Sequence, residues 1–177
     1  MVALVDAVKS GEIPDSEVVV VISDKPNADG LEKARERGVD AIVIERRGRS
    51  REEHDADLIH DLRRRDVGLV CLAGYMRLLS KDFILAFPDK ILNIHPSLLP
   101  EFPGLNVQQQ AIDAGVKTSG CTVHFVNEDL DAGPIILQRT VEVKDSDTAD
   151  TLAARILEQE HGAYVEAVRR IVTGEVL

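Results

Sequence analysis

Tryptophan is absent from this 177-residue chain, and aromatic residues make up only 3% of it. So few π-faces disfavour a stacking platform for single-stranded nucleic acid. Cysteine is scarce too: Cys71 and Cys121 lie in apolar stretches and form no CxxC pair. A disulfide framework and a structural zinc site therefore do not fit, whereas a reducing, cytoplasmic setting does. The longest apolar runs, Val18–Ile22 and Leu69–Met76, fall far short of the roughly 18 residues that cross a bilayer. Met1–Asp6 lacks the basic lead and long apolar stretch of a signal peptide. Positive charge is in the minority, with 21 Lys and Arg against 31 Asp and Glu, a net −10. Nucleic acid and anionic membranes attract basic surfaces, so neither is expected as a partner. A small phosphate ligand needs only one local pocket and stays compatible with that charge.

What is present is enough apolar residue, 44% of the chain, for one packed domain. Val2, Leu4, Val5 and Val8 recur at helical spacing, with Gly11 as a stop. Val18–Ile22 is a continuous, β-branched run of the kind found in strands buried on both faces. A short helix over Leu31–Arg37 and a second buried strand over Ala41–Ile44 follow. Ser50 reads as an N-cap, with Glu53 completing a capping box for a helix that runs to about Arg65. Leu69–Leu72, Lys81–Phe87 and Ile91–Ile94 then read as strand, helix and strand. Such a βαβ rhythm predicts an α/β fold with a parallel sheet and right-handed crossovers.

Beyond Pro96 the rhythm breaks at a loop punctuated by Pro96, Pro100 and Pro103. Val107–Ala114 reads as a helix, Cys121–Val126 and Ile135–Val143 as strands, and Thr148–Val172 as a long closing helix. The chain opens on a helix, whereas doubly wound folds usually open on a central strand and a phosphate-binding turn.

Ligands of open α/β sheets bind beyond the carboxyl ends of the strands. Two such ends carry polar residues here, Ala73–Leu79 and Asn93–Ser97. Asn93 and His95, two apart on one strand, share a face. An amide beside an imidazole can hold a developing oxyanion and move a proton. From spacing alone, His95 reads equally well as a buried histidine bonded to backbone. The alternation around His124 favours a structural role, and His54, His60 and His161 fall on charged helix faces where solvation is expected. No two histidines have metal-ligand spacing, so no metal is implied. In the turn Asn127–Pro134, Glu128, Asp129 and Asp131 are three candidates for a carboxylate that orients His95 and raises its pKa from about 6.5. Spacing does not choose among them.

The segment Asn93–Pro100 (NIHPSLLP), followed by Phe102-Pro103-Gly104, resembles the signature of the folate-dependent formyltransferases, and Asp131–Ile136 (DAGPII) resembles their second motif. The Pro-Ser-Leu-Leu-Pro form, Ala73–Leu79 and Gln159-Glu160-His161 are similar to the branch that acts on glycinamide ribonucleotide (GAR). The resemblance implies a Rossmann-like fold, a mostly parallel sheet flanked by helices with antiparallel strands towards the C-terminal part. It implies 10-formyltetrahydrofolate as co-substrate, GAR as acceptor in purine biosynthesis, no metal, and a monomer or homodimer. By resemblance Asn93, His95 and Asp131 are catalytic. Met76, Arg77, Leu78, Leu79, Asn127, Glu128, Asp129 and Leu130 line the pterin pocket, Arg51 is the folate-side arginine, and Glu160 holds the ribose of GAR.

Members of that family normally begin with a strand and a glycine-rich phosphate turn, and residues 1–177 read as a single formyltransferase domain lacking both. A shortened form of a normal enzyme is the expectation. Formyltetrahydrofolate hydrolase, which uses water as acceptor, usually has a His-His-Ser variant where this chain has His95-Pro96-Ser97. A folate-binding remnant with impaired GAR binding is the non-catalytic alternative.

Overall fold

Helix α1 (Val2–Ser10) forms on the apolar spacing seen in the sequence. It ends at Gly11, whose φ of 79° is the left-handed cap that glycine adopts without strain. The structure, a computed structural model, describes residues 1–176. Strand β1 (Val21–Ser23), helix α2 (Asp29–Glu36), strand β2 (Ala41–Val43) and helix α3 (Arg51–Arg64) come next. Ser50 caps α3 as expected: its hydroxyl accepts the Glu53 N–H, and the Glu53 carboxylate accepts the Ser50 N–H. Strand β3 (Val70–Cys71), helix α4 (Lys81–Ala86) and strand β4 (Ile91–His95) complete the βαβ part. Helix α5 (Val107–Asp113), strands β5 (Thr118–Phe125) and β6 (Ile135–Glu142), and helix α6 (Ala149–Val172) close the chain.

The strands form two sheets among the described residues. Parallel β1 and β2 make one, and β3-β4-β5-β6 make the other, with β3 parallel to β4 and the last two steps antiparallel. The antiparallel steps lie towards the C-terminal part, as the resemblance implies, while β1 and β2 pair apart from the other four strands. The strand expected over Val18–Ile22 is confined to Val21–Ser23, and all three residues are half-buried. With β2 alone pairing to β1, Val18–Val20 join no ladder.

Helices cover both faces of the four-stranded sheet. On one side Leu152, Ile156, Ala163 and Ala167 of α6, all fully buried, pack on Leu92, Cys121 and Val123. Full burial of a side chain such as Ile156 contributes about 1.5–3 kcal/mol. The Tyr164 hydroxyl lies 2.9 Å from the Leu72 carbonyl and 3.1 Å from that of Leu92, pinning α6 beside the end of β3 and the start of β4. On the other side Leu58 and Leu62 of α3 meet Phe83, Phe87 and Ile91, and Val20, Ile22 and Leu72 pack against them. The first residues of β4 are thus held from both faces.

Candidate active site

Antiparallel pairing of β4 with β5 sets His124 opposite Asn93 and Thr122 opposite His95. All four positions therefore gather at the carboxyl end of β4. His95 is 5% exposed. Its Nε2 donates to the Phe102 carbonyl at 2.9 Å, and its Nδ1 faces Asp131 Oδ2 at 3.5 Å. Both neighbours only accept, so an imidazolium satisfies both sides of the ring. Asp131 Oδ2 also accepts the Gly104 N–H at 2.9 Å, tying the loop after β4 to the turn after β5.

His124, 2% exposed, stands within this cluster. Its Nδ1 lies 2.9 Å from the Phe125 carbonyl, so that nitrogen carries the hydrogen. Burial holds its pKa below the ordinary histidine value and keeps the ring neutral. Nε2 then offers a lone pair to the Asn93 amide nitrogen at 3.5 Å and lies 3.9 Å from Asp131 Oδ1. This sets the amide nitrogen of Asn93 towards His124, and among the described residues that amide makes no second hydrogen bond. The structural reading of His124 fits its burial and its backbone bond, and the ring also lies against two of the three expected catalytic side chains. Only the β4–β5 register reveals that contact.

The supporting loop is bolted to the sheet. Buried Thr122 donates its hydroxyl to the Ser97 carbonyl at 2.7 Å and accepts the Leu99 N–H at 3.0 Å. Gln138 of β6 donates to the Leu99 carbonyl and to Thr122 Oγ1, both at 2.9 Å. Ser97 donates to the Glu101 carbonyl at 2.6 Å. Gly133 closes the acidic turn by lying where any Cβ would sit 1.8 Å from the Phe125 carbonyl oxygen. Asp131 itself adopts a φ of 50°, a left-handed conformation that Asp tolerates better than most residues.

Of the three candidate carboxylates, Asp131 is the one against His95. Glu128 pairs instead with Lys81 at 3.3 Å. The Asp129 N–H bonds the Asn127 side chain, an Asx turn that shapes the loop. The Lys81–Glu128 pair brings the two segments assigned to the pterin pocket side by side. Met76, Leu78 and Leu130 are apolar yet 71%, 53% and 56% exposed, while Leu79 packs into the α3–α4 cluster. Arg77 pairs with Asp24 at 3.0 Å. Exposed Arg51 opens α3 and pairs with Glu52 at 3.0 Å. Glu160 of α6 is half-buried, which raises its pKa, and its charge acts on Cys121 of β5. Among the described residues no hydrogen bond or ion pair joins Arg51 or Glu160 to Asn93, His95 or Asp131.

His54 corrects another expectation. It is 2% exposed rather than solvated, because residues 54, 58 and 62 share the inward stripe of α3. Among the described residues no group of three or more His, Cys, Asp or Glu side chains is placed to hold a metal ion. No helix among them is long and apolar enough to cross a membrane.

Residues 1–168 match the family model described as formyl transferase. Phosphoribosylglycinamide formyltransferase of Escherichia coli (strain K12) is 43% identical over 163 residues, 92% of this chain and 76% of that protein. The trifunctional purine biosynthetic protein adenosine-3 of Drosophila melanogaster is 46% identical over 177 residues; the match covers 99% of this chain but spans only 13% of that protein. Among solved structures, glycinamide ribonucleotide transformylase 1 from Symbiobacterium toebii superposes with a TM-score of 0.96 at 51% identity, covering 99% of this chain and 83% of that one. Sequence and fold agree across nearly the whole chain, and the chain belongs to the formyl transferase family.

Proposed function

We propose that this chain transfers the formyl group of 10-formyltetrahydrofolate to the amine of glycinamide ribonucleotide, a cytoplasmic step of purine biosynthesis. Family membership and relatives named for that reaction support the reaction class. The observation that carries the mechanism is the approach of Asp131 to His95, 3.5 Å apart at the tip of β4 beside Asn93.

The amine nitrogen of GAR attacks the formyl carbon, and the carbonyl electron pair moves to oxygen. The second N–H of Asn93 donates to that oxyanion. Both His95 nitrogens are engaged, so His95 acts through its imidazolium charge beside the developing negative oxygen. Aimed donors and charges in a water-poor site are worth about 10²–10³ in rate each. The proton lost by the attacking nitrogen passes through water, oriented by Asp131, to the folate nitrogen N10. The bond from the formyl carbon to N10 then breaks, giving formylated GAR and tetrahydrofolate. No covalent intermediate on the protein and no metal takes part in these steps.

The exposed apolar side chains Met76, Leu78 and Leu130 suit the faces of a pterin ring, with Arg77, Leu79, Asn127, Glu128 and Asp129 completing the walls. Arg51 serves the folate side. Glu160, half-buried and without an ion pair among the described residues, accepts hydrogen bonds from the ribose hydroxyls of GAR. Formyl transfer to GAR, followed at the folate chromophore, tests the reading. The intact chain turns over, and His95→Ala loses at least about 10²-fold in kcat. A chain that cleaves 10-formyltetrahydrofolate equally fast without GAR would contradict it.

A further inference from the structure

One buried ionisable pair serves nothing described so far. Asp55 of α3 is 1% exposed. Its Oδ2 accepts the Ser80 backbone N–H at 2.6 Å, and its Oδ1 is buried with no hydrogen-bond partner. Facing that oxygen at 3.6 Å is Nδ1 of His54. The other His54 nitrogen, Nε2, lies 2.8 Å from the Ile44 carbonyl. A carbonyl only accepts, so Nε2 carries a hydrogen. Nδ1 and Oδ1 would then be opposed lone pairs unless one proton lies between them. An unpaired carboxylate in the interior is strongly unfavourable, and sharing a proton with the imidazole relieves it.

The contacts form a line from the Ile44 carbonyl through His54 and Asp55 to the Ser80 N–H. Its ends lie at the two segments assigned to the folate side. Ile44 follows β2 and leads into the loop ending at Arg51. Ser80 caps α4, accepting the Phe83 N–H at 3.2 Å, and directly follows Met76–Leu79. The Tyr75 phenol is pushed up by burial and next by the Asp55 charge, which puts that phenol within electrostatic reach of this carboxylate. We propose that His54 and Asp55 form a buried proton-sharing pair that holds the loop Met76–Leu79 in register with the start of α3, which makes Asp55 a positioning residue for the folate co-substrate. The proposal rests on the folate reading of that loop.

Asp55→Leu removes both contacts while keeping bulk. Asp55→Asn keeps an acceptor for Ser80 and offers an N–H to Nδ1 of a neutral His54, so it is the rescuing variant. Asp55→Leu should raise the Kd for tetrahydrofolate by calorimetry, and the KM for 10-formyltetrahydrofolate, about tenfold while the KM for GAR stays within about twofold. The Ser80 amide should exchange hydrogen faster in Asp55→Leu, and Asp55→Asn should remain within about threefold of the parent on every readout. Unchanged tetrahydrofolate affinity in Asp55→Leu would overturn the proposal, and so would equal loss of affinity for both substrates. If Asp55→Leu does not fold, His54→Leu cuts the same line at Ile44 and has the same expected and overturning results. A parent chain that binds no tetrahydrofolate would sink the folate reading by itself. Ser80 amide exchange still judges the pair in that case, since unchanged protection in the variant overturns it.

Discussion

Replacing Gly133 by alanine is the sharpest steric test of how the acidic turn is held. The added Cβ would lie 1.8 Å from the Phe125 carbonyl oxygen and 2.8 Å from its carbon. Both atoms belong to the backbone of β5, which pairs on either side with β4 and β6 and cannot easily yield. To reach even 3.0 Å the turn must withdraw by about 1.2 Å. Asp131 is two residues away, and its 3.5 Å approach to His95 and 2.9 Å bond from Gly104 both depend on that turn. A misplacement of about 1 Å costs on the order of 10²-fold in rate. Steady-state formyl transfer should therefore show kcat lowered about 10²-fold, with the GAR KM changed less than about threefold. The strands on either side stay paired, so circular dichroism should remain that of the parent. Gly133→Ala with parental kcat would refute the claim that this turn sets the position of Asp131.

Other consequences are equally direct. Thr122→Val preserves shape but strips the hydroxyl from the Ser97 carbonyl, the Leu99 N–H and Gln138; denaturant unfolding should show a loss of about 2–4 kcal/mol, and a loss under about 0.5 kcal/mol would contradict the bolting role. Burial raises the Glu160 pKa, so the folded chain holds that proton more tightly than the unfolded one, and stability falls as pH rises from about 4.5 through the raised value. Glu160→Gln should therefore melt higher than the parent at neutral pH, with the difference vanishing in acid, while the KM for GAR rises; an equal melting difference at every pH would contradict the assignment. Burial pushes the Cys71 thiol up to about 12 and that of Cys121 up to about 11, leaving almost no thiolate near pH 8. Alkylation should be slow in the folded chain and fast after unfolding, and rapid labelling of either folded thiol would show the packing to be wrong.

Local chemistry was the legible part of this sequence. Ser50 with Glu53 and Gly11 after an apolar stripe each act over a few residues and appear as read, and Asn93 and His95 lie two apart on β4. What the sequence hid depends on register and long-range contact. By spacing alone the three carboxylates of one turn look alike; the DAGPII resemblance singles out Asp131, and the turn closed at Gly133 sets it, and not Glu128 or Asp129, against His95. His124 met Asn93 only when β4 paired with β5. His54 and Asp55 sit amid Arg51, Glu52, Glu53 and Asp57, so the charge around them masked the inward stripe they share with Leu58 and Leu62. The short β1 had the same origin: Val18–Ile22 has the residues of a fully buried strand, but a ladder needs neighbours, and among the described residues only β2 supplies one.

Asp131→Asn, assayed for formyl transfer from 10-formyltetrahydrofolate to GAR, probes the convergence of amide, imidazole and carboxylate most directly. The amide still accepts the Gly104 N–H, so the loop keeps its place while the charge facing His95 is lost. The account predicts kcat lower by at least about 10²-fold with both KM values near those of the parent. Parental turnover by Asp131→Asn would contradict it.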